Sequence, residues 1–381
     1  MDVNENDAHG RAEPGPNVQE RRFAAFRGCE RVLSGTRPQT VRERLAELTE
    51  QADRTYDLDQ RPDFYGSGVV RTLERRTADL LGAEDAAFFP TGTMAQQVAL
   101  RIWSERRGER NVALHPLAHP EVHERRAYAN LSGLRSVWPT TEPRIPTPSE
   151  LRDFDEPYAV LALELPLRDA GFVLPTWAEL TATVSAADTP VHFDGARLWE
   201  SAVHLGHGLP EIAALADSVY VSFYKTLGGV SGAALAGDRD FVRAAKAWRH
   251  RYGGRLFQQW PAALSALAGM DRELPRLESY VRHAKVVATA LAEAVATVPG
   301  ARVFPEPPHT HQFQLWLPYP AAVLDEAGIR LAGESGLAVF GGWQDSALPG
   351  LAMTEVTVAS PALEWTAKEV TAGVEALLAL L

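Results

Sequence analysis

Residues 158–165 read YAVLALEL, a run that is apolar on both of the faces a strand would present. A strand with one wet face alternates polar and apolar residues. One that does not alternate is buried on both sides, as in a parallel sheet covered by helices. PVHFD at 190–194 and SVYVSF at 218–223 behave likewise. Between and before these runs the spacing turns helical. In VVRTLERRTADLLG (69–82), Val69, Leu73, Leu80 and Leu81 keep a roughly helical period and Gly82 supplies a C-cap. AAFFP (86–90) is a short apolar run closed by proline and reads as a strand. TGTMAQQVALRIW (91–103) then predicts a helix beginning near Thr93, carried by Val98, Ala99 and Ile102. Strands separated by helices predict an α/β fold whose large domain holds a mostly parallel sheet, covered on both sides.

From about Arg255 the pattern changes. A helix-rich stretch covers Leu277 to Val298, THQFQLWLP (310–318) alternates through Phe313, Leu315 and Leu317, and MTEVTV (353–358) precedes a terminal helix. That mixture predicts a small α+β domain at 255–381, after a large domain at 60–254 and an N-terminal arm with helices at 1–59. The first ~15 residues, polar and containing Pro and Gly, are expected to be frayed.

Composition narrows the partners. The chain has 381 residues, 45% hydrophobic and 23% charged, as soluble globular proteins do. A net charge of -11 argues against a nucleic-acid partner, AWRHRYGGR (247–255) being one short basic stretch. No run approaches the ~20 apolar residues of a membrane span, and the N-terminus lacks the apolar core of a secretion signal. The single cysteine, Cys29, excludes an intrachain disulfide and a thiolate metal cluster, and a reducing cytoplasm is compatible with it.

In open parallel sheets, ligands bind beyond the carboxyl ends of the strands. Three such ends carry useful groups here. The Thr91-Gly92-Thr93 turn offers free N–H groups, two hydroxyls and a helix dipole, which suit a phosphate, although a plain capping turn has the same sequence. Asp194 closes PVHFD and reads equally as a helix cap or an ion-pair partner. Lys225 lies just past SVYVSF among aromatic and small residues that give no reason to bury an ammonium group, and buried lysines often do Schiff-base chemistry. Together the three match the contacts of pyridoxal phosphate: a phosphate cup, an acid for the pyridine nitrogen and an amine for the aldehyde. His115, His119 and His123 recur every four residues, but Pro116 and Pro120 are expected to break any helix that would gather them around a metal. His309 and His311 lack a third ligand nearby, and a loop or strand-edge role is expected. No metal site is predicted.

AAFFPTGTMAQQVAL (86–100), HFDGARLWESAVHLG (192–206) and DSVYVSFYKTLGG (217–229) resemble the L-threonine aldolases of the β-eliminating lyase group, enzymes with the aspartate-aminotransferase type of fold. The similarity runs from about Tyr65 to Gly237. The resemblance implies fold type I, pyridoxal 5'-phosphate as cofactor and Lys225 as the Schiff-base lysine, eight residues after Asp217 as in the family. It places Gly92 and Thr93 at the phosphate, Asp194 at the ring nitrogen, and Arg197 beside the cofactor and the substrate carboxylate. AHPEVHERRAYANLSGL (118–134) puts His119 at the histidine that stacks on the ring, with Glu124 also in place. His119 is the candidate base for the substrate hydroxyl, with pure stacking as its alternative.

Two departures mark this chain. The family's ENTHN is ELPLR at 164–168, which replaces an asparagine by Leu165 and a histidine near the substrate hydroxyl by Leu167. Glu355 stands where the family has an arginine for the substrate carboxylate. Arg168 is a candidate replacement there, against a plain exposed loop arginine. Arg255, two residues before Phe257, is a candidate for reaching a neighbouring subunit's phosphate, and the resemblance implies a homodimer or homotetramer. The expected reaction is retro-aldol cleavage of a β-hydroxy-α-amino acid to glycine and an aldehyde, with a substrate more apolar than threonine expected from Leu165, Leu167 and Trp343. The alternatives are another pyridoxal-phosphate reaction on an amino acid, such as β-elimination or decarboxylation, and a non-catalytic binding protein.

Overall fold

The structure is a computed structural model that describes residues 17–381. The arm expected to fray lies outside the described residues. Seven strands form the large sheet, in the order Asp85–Phe89, Ala233–Gly237, Ser218–Ser222, Val191–Gly195, Leu161–Glu164, Asn111–Ala113 and Arg135–Val137. Ala233–Gly237 runs antiparallel to both neighbours, and the remaining strands share one direction. The runs that lacked alternation are buried on both faces: Leu161, Leu163, Val191, Phe193, Val219 and Val221 on one side, and Ala162, His192 and Tyr220 on the other, are all nearly inaccessible. Helices explain why. Val69–Leu81 and Trp260–Glu273 pack on one side, Gly92–Arg107 and Arg239–Arg251 on the other.

Local signals set the helix ends. Gly82 adopts φ +62° and closes Val69–Leu81 in the left-handed conformation that glycine tolerates. The next helix begins at Gly92, one residue earlier than expected, because the Thr91 hydroxyl accepts the Met94 N–H at 3.2 Å. A one-turn helix also forms at His119–Val122. Pro120 does not break it, since a proline in the first turn has no intrahelical partner to lose. His115 lies outside that turn, with its Nε2 2.6 Å from the Glu142 carbonyl oxygen.

A second, antiparallel sheet orders its strands Gln344–Asp345, Ala352–Thr357, Gln312–Leu317 and Arg302–Phe304. Phe313, Leu315 and Leu317 point into a core closed by the helices Leu277–Val295, Ala321–Ser335 and Ala367–Leu378. Trp343 belongs to that core, 8% exposed and in edge contact with Phe340. It is therefore no part of a substrate pocket, which corrects the expectation placed on it. The helix Val18–Arg27 packs on Ala321–Ser335, and Arg31–Val32 pairs with Leu337–Ala338 in a separate two-stranded sheet, so the start of the described chain is stapled to the elements around the second sheet. Among the described residues no helix is long and apolar enough to cross a membrane.

Register positions the site. Glu164, Asp194 and Tyr220 sit side by side on adjacent strands, and Phe89, Ala233 and Ser222 line up likewise. The groups picked out at separate strand ends thus meet along one rim.

Candidate active site

Lys225 sits in a tight turn just past Ser218–Ser222. The Gly228 N–H donates to the Lys225 carbonyl at 3.0 Å, and the Gly229 N–H donates to the Phe223 carbonyl at 2.8 Å. A Cβ on Gly229 would come within 2.7 Å of that carbonyl oxygen, so the turn closes this tightly only around glycine. The strand end is pinned by the Trp199 indole, which donates to the Ser222 carbonyl at 2.9 Å. Burial disfavours the charged amine, and the nearby Arg197 cation pushes the same way, bringing the Lys225 pKa down to about 8. The amine and Arg197 open onto a cleft of about 580 Å³ shared with Tyr224, Thr226, His311 and Gln312.

Asp194 is 5% exposed and accepts the Ala196 N–H at 3.2 Å on one oxygen. Burial raises its pKa, while the charges of Lys225 and His119 oppose the rise. Beside it, Glu164 is pushed up to about 7, by burial first and by the Asp194 charge second. Glu164 also ties two elements together, because its oxygens accept the His119 N–H at 2.7 Å and the Arg168 N–H at 3.2 Å. His119 then faces Glu124 with its Nδ1 at 3.4 Å, and Gln97 donates to the other Glu124 oxygen at 2.9 Å. Burial works against a charged His119, but the Glu124 hydrogen bond and the Asp194 charge outweigh it and raise the histidine's pKa.

Arg197 is 9% exposed, and its Nε is buried with no partner. Among the described residues no carboxylate lies within ion-pair distance of it. Its guanidinium lies 5.2 Å from the Phe172 ring centroid. An arginine in that state is a buried cation waiting for an anion. Arg168 is different. Its Nη2 pairs with Glu355 at 2.7 Å, its Nη1 with Asp169 at 3.2 Å, and its side chain is 21% exposed. It is neither the plain loop arginine nor a free carboxylate clamp, because two acids already hold it, one of them the Glu355 that departs from the family pattern.

Gly92 and Thr93 open the helix Gly92–Arg107, where first-turn N–H groups have no intrahelical acceptor. A Cβ on Gly92 would collide with the Tyr220 hydroxyl. Sequence reasoning missed Ser222, whose hydroxyl is buried without a partner at the strand end aligned with Phe89. Its place three residues before the lysine was the available signal. Arg255 lies over the Tyr65 ring at 5.3 Å, in an exposed cluster with Phe64 and Phe257. His311 is buried, its Nε2 3.4 Å from a Glu200 oxygen that also accepts the Thr226 hydroxyl at 2.7 Å. It stands at the end of the loop just before Gln312–Leu317, as expected, and that contact fixes it there.

The donor set fits the cofactor that the three strand ends suggested: unpartnered N–H and hydroxyl groups for a phosphate, a buried carboxylate for a ring nitrogen, and a depressed-pKa amine for an aldehyde. Such a set, on the rim of a mostly parallel sheet of this order, defines the fold type I class of enzymes. The chain belongs within it to the beta-eliminating lyase family, whose family model matches residues 36–315. A low specificity L-threonine aldolase of Escherichia coli is 31% identical over 245 residues, covering 62% of this chain and 73% of the relative. A probable low-specificity L-threonine aldolase of Schizosaccharomyces pombe is 29% identical, covering 58% of this chain and 60% of that one. Among solved structures, one from Listeria monocytogenes described as "a putative L-allo-threonine aldolase" superposes with a TM-score of 0.85 at 33% identity, over 96% of this chain and 100% of that chain.

Proposed function

We propose that this chain is a pyridoxal-phosphate-dependent lyase that cleaves a β-hydroxy-α-amino acid into glycine and an aldehyde. The observation that carries the reading is a buried amine flanked by a buried carboxylate and by an arginine that has no partner of its own. The relatives' printed names and the family membership support it. Pyridoxal phosphate, when bound, supplies an electron sink for the Cα bond that breaks.

The chain's own residues do the rest. Gly92 and Thr93 offer N–H groups to a phosphate at a helix N-terminus, with the Thr93 and Ser222 hydroxyls nearby. Lys225 offers its neutral amine to the aldehyde, and a pKa near 8 makes that form available at physiological pH. Asp194, facing the ring nitrogen as an anion, would hold a proton there. The burial that raises its pKa would become an asset once a cation lay opposite. His119, held by Glu124, which Gln97 holds in turn, would cover the ring, and Arg197 would take the substrate carboxylate with a two-pronged hydrogen bond.

Assembly belongs to the same proposal. Phe64, Tyr65 and Phe257 form a contiguous, edge-packed aromatic cluster that is 59%, 41% and 55% exposed, the kind of patch that marks an interface. A second copy of the chain covers it, and Phe257→Glu is expected to shift sedimentation toward the monomer. The reaction itself is tested by incubation with threonine or phenylserine. Glycine and the aldehyde should appear together, and a borohydride-sensitive absorption band should be absent from Lys225→Ala. Cofactor binding without either product would overturn the reaction assigned.

A further inference from the structure

Cleaving a β-hydroxy acid at Cα–Cβ needs a group that accepts the hydroxyl proton. The acids around the site are nearly all engaged. Glu164 is buried with both oxygens taken by backbone N–H groups, Glu124 is held by Gln97 and His119, and Glu355 is paired with Arg168. Asp194 and Lys225 are committed to the cofactor. Of the histidines, His311 has both ring nitrogens engaged, Nδ1 2.7 Å from the Val358 carbonyl oxygen and Nε2 3.4 Å from Glu200, which leaves His119 and His123.

His119 lies inside the buried line to Glu124 and Gln97, which draws its ring toward the protein. His123 follows one turn later, its N–H donating to the His119 carbonyl at 2.9 Å, and the two rings lie 5.2 Å apart. Its side chain is 37% exposed, so a proton it accepts has a route to solvent. The His123 Nε2 is 2.7 Å from Asp169 Oδ2 and 3.0 Å from Arg168 Nη1. The Asp169 carboxylate at 2.7 Å is the shorter and charged contact and can only accept, so it takes the proton on Nε2 in preference to the Arg168 N–H at 3.0 Å, which has Asp169 Oδ1 as its own acceptor, and Nδ1 keeps the free lone pair. Arg168 Nη1 donates to the other oxygen of Asp169 at 3.2 Å, and its Nη2 is clamped by Glu355. Because the Arg168 N–H and the His119 N–H share the Glu164 carboxylate, this assembly is anchored to the same strand end as Asp194.

Resting on the lyase reading above, we propose that His123, oriented by Asp169, is the general base that takes the proton from the substrate's β-hydroxyl. The O–H bond breaks toward His123 Nδ1, and its electron pair forms the aldehyde C=O. The Cα–Cβ bond breaks and its pair stays with Cα, which takes a proton from solvent as it does in glycine exchange, while His123 returns the hydroxyl proton to solvent and regains its lone pair. Arg168 and Glu355 are positioning residues, holding Asp169 rather than touching substrate.

The test compares two reactions of the holoenzyme that share every residue except the base. Phenylserine cleavage needs the hydroxyl proton removed; exchange of the glycine α-proton in deuterium oxide does not. His123→Asn is expected to lower kcat for cleavage about 100-fold while glycine exchange and the borohydride-sensitive band stay within about threefold of wild type. Cleavage within about fivefold of wild type overturns the proposal. If His123→Asn loses exchange as well, Asp169→Asn decides. A drop of about 10-fold or more in cleavage with exchange intact supports the dyad, and unchanged cleavage refutes it. Wild-type protein lacking both exchange and the band would instead sink the lyase reading, so the two failures are distinct.

Discussion

Arg197→Met probes the site most sharply, because it moves function and stability in opposite directions. With ligand bound, the guanidinium forms two charge-assisted hydrogen bonds to the substrate carboxylate, and losing them costs about 3 kcal/mol, or roughly two decades in kcat/KM. Without ligand the same side chain is a 9% exposed cation with a buried, unpartnered Nε. Desolvation of such a charge costs several kcal/mol, against about 0.5–1 kcal/mol from its contact with Phe172. Methionine keeps the apolar stem, so the ligand-free variant should be more stable by about 1–2 kcal/mol, a Tm rise on the order of 2 °C. The Lys225 amine should also titrate higher, since Arg197 is the charge that most depresses it. Steady-state kinetics, calorimetry of the cofactor-free protein and the pH dependence of cofactor capture read the three effects. A variant with unchanged KM and a lower Tm would show that Arg197 is structural, and the reasoning would fail.

Two further outcomes can be checked on purified protein. Gly92→Ala should weaken pyridoxal phosphate binding at least about 10-fold by absorbance titration, because the new methyl collides with the Tyr220 hydroxyl, and Tyr220→Phe in the same chain should restore part of it. Capture of pyridoxal phosphate by the cofactor-free protein should rise with pH and level off above about 8, where half of Lys225 is neutral, whereas an ordinary lysine is only ~0.3% neutral there; a rate still climbing steeply at pH 10 would contradict the depressed pKa.

The sheet was legible because its strands obey a one-dimensional rule: a run without alternation has no wet face. Asp194, Lys225 and the Thr91 turn were found for the same reason, each lying at the end of such a run. What stayed hidden depends on distances through space. Nothing in ELPLR announces that Arg168 meets Glu355, 187 positions later, since the pairing comes from packing the second sheet against the loop after Leu161–Glu164. Trp343 was misplaced on the same account: a tryptophan in a Gly-rich loop reads as a pocket wall until Phe340 and the helix above it are in view. Pro120 is tolerated because it falls in a first turn, and that turn stops short of His115, so no helix spans the three histidines.

Glu164 joins the stability of the protein to its chemistry. Its pKa rises from 4.5 to about 7 in the folded chain, through burial and the neighbouring Asp194 charge. A carboxyl whose folded value lies above its unfolded value contributes stability at low pH and loses it as pH rises through the folded value, here over the window from 4.5 to about 7. The loss is about 3 kcal/mol across that window. Glu164→Gln removes the titration and sacrifices one of the two backbone hydrogen bonds, a cost that does not change with pH. Denaturation of the cofactor-free protein should therefore show wild type ahead of the variant near pH 4.5 and losing that lead by pH 7. A difference that stays flat across the window would mean that Glu164 ionises normally. The proton would then reside on Asp194, and the anion assigned to the ring nitrogen would have to be formed by cofactor binding itself.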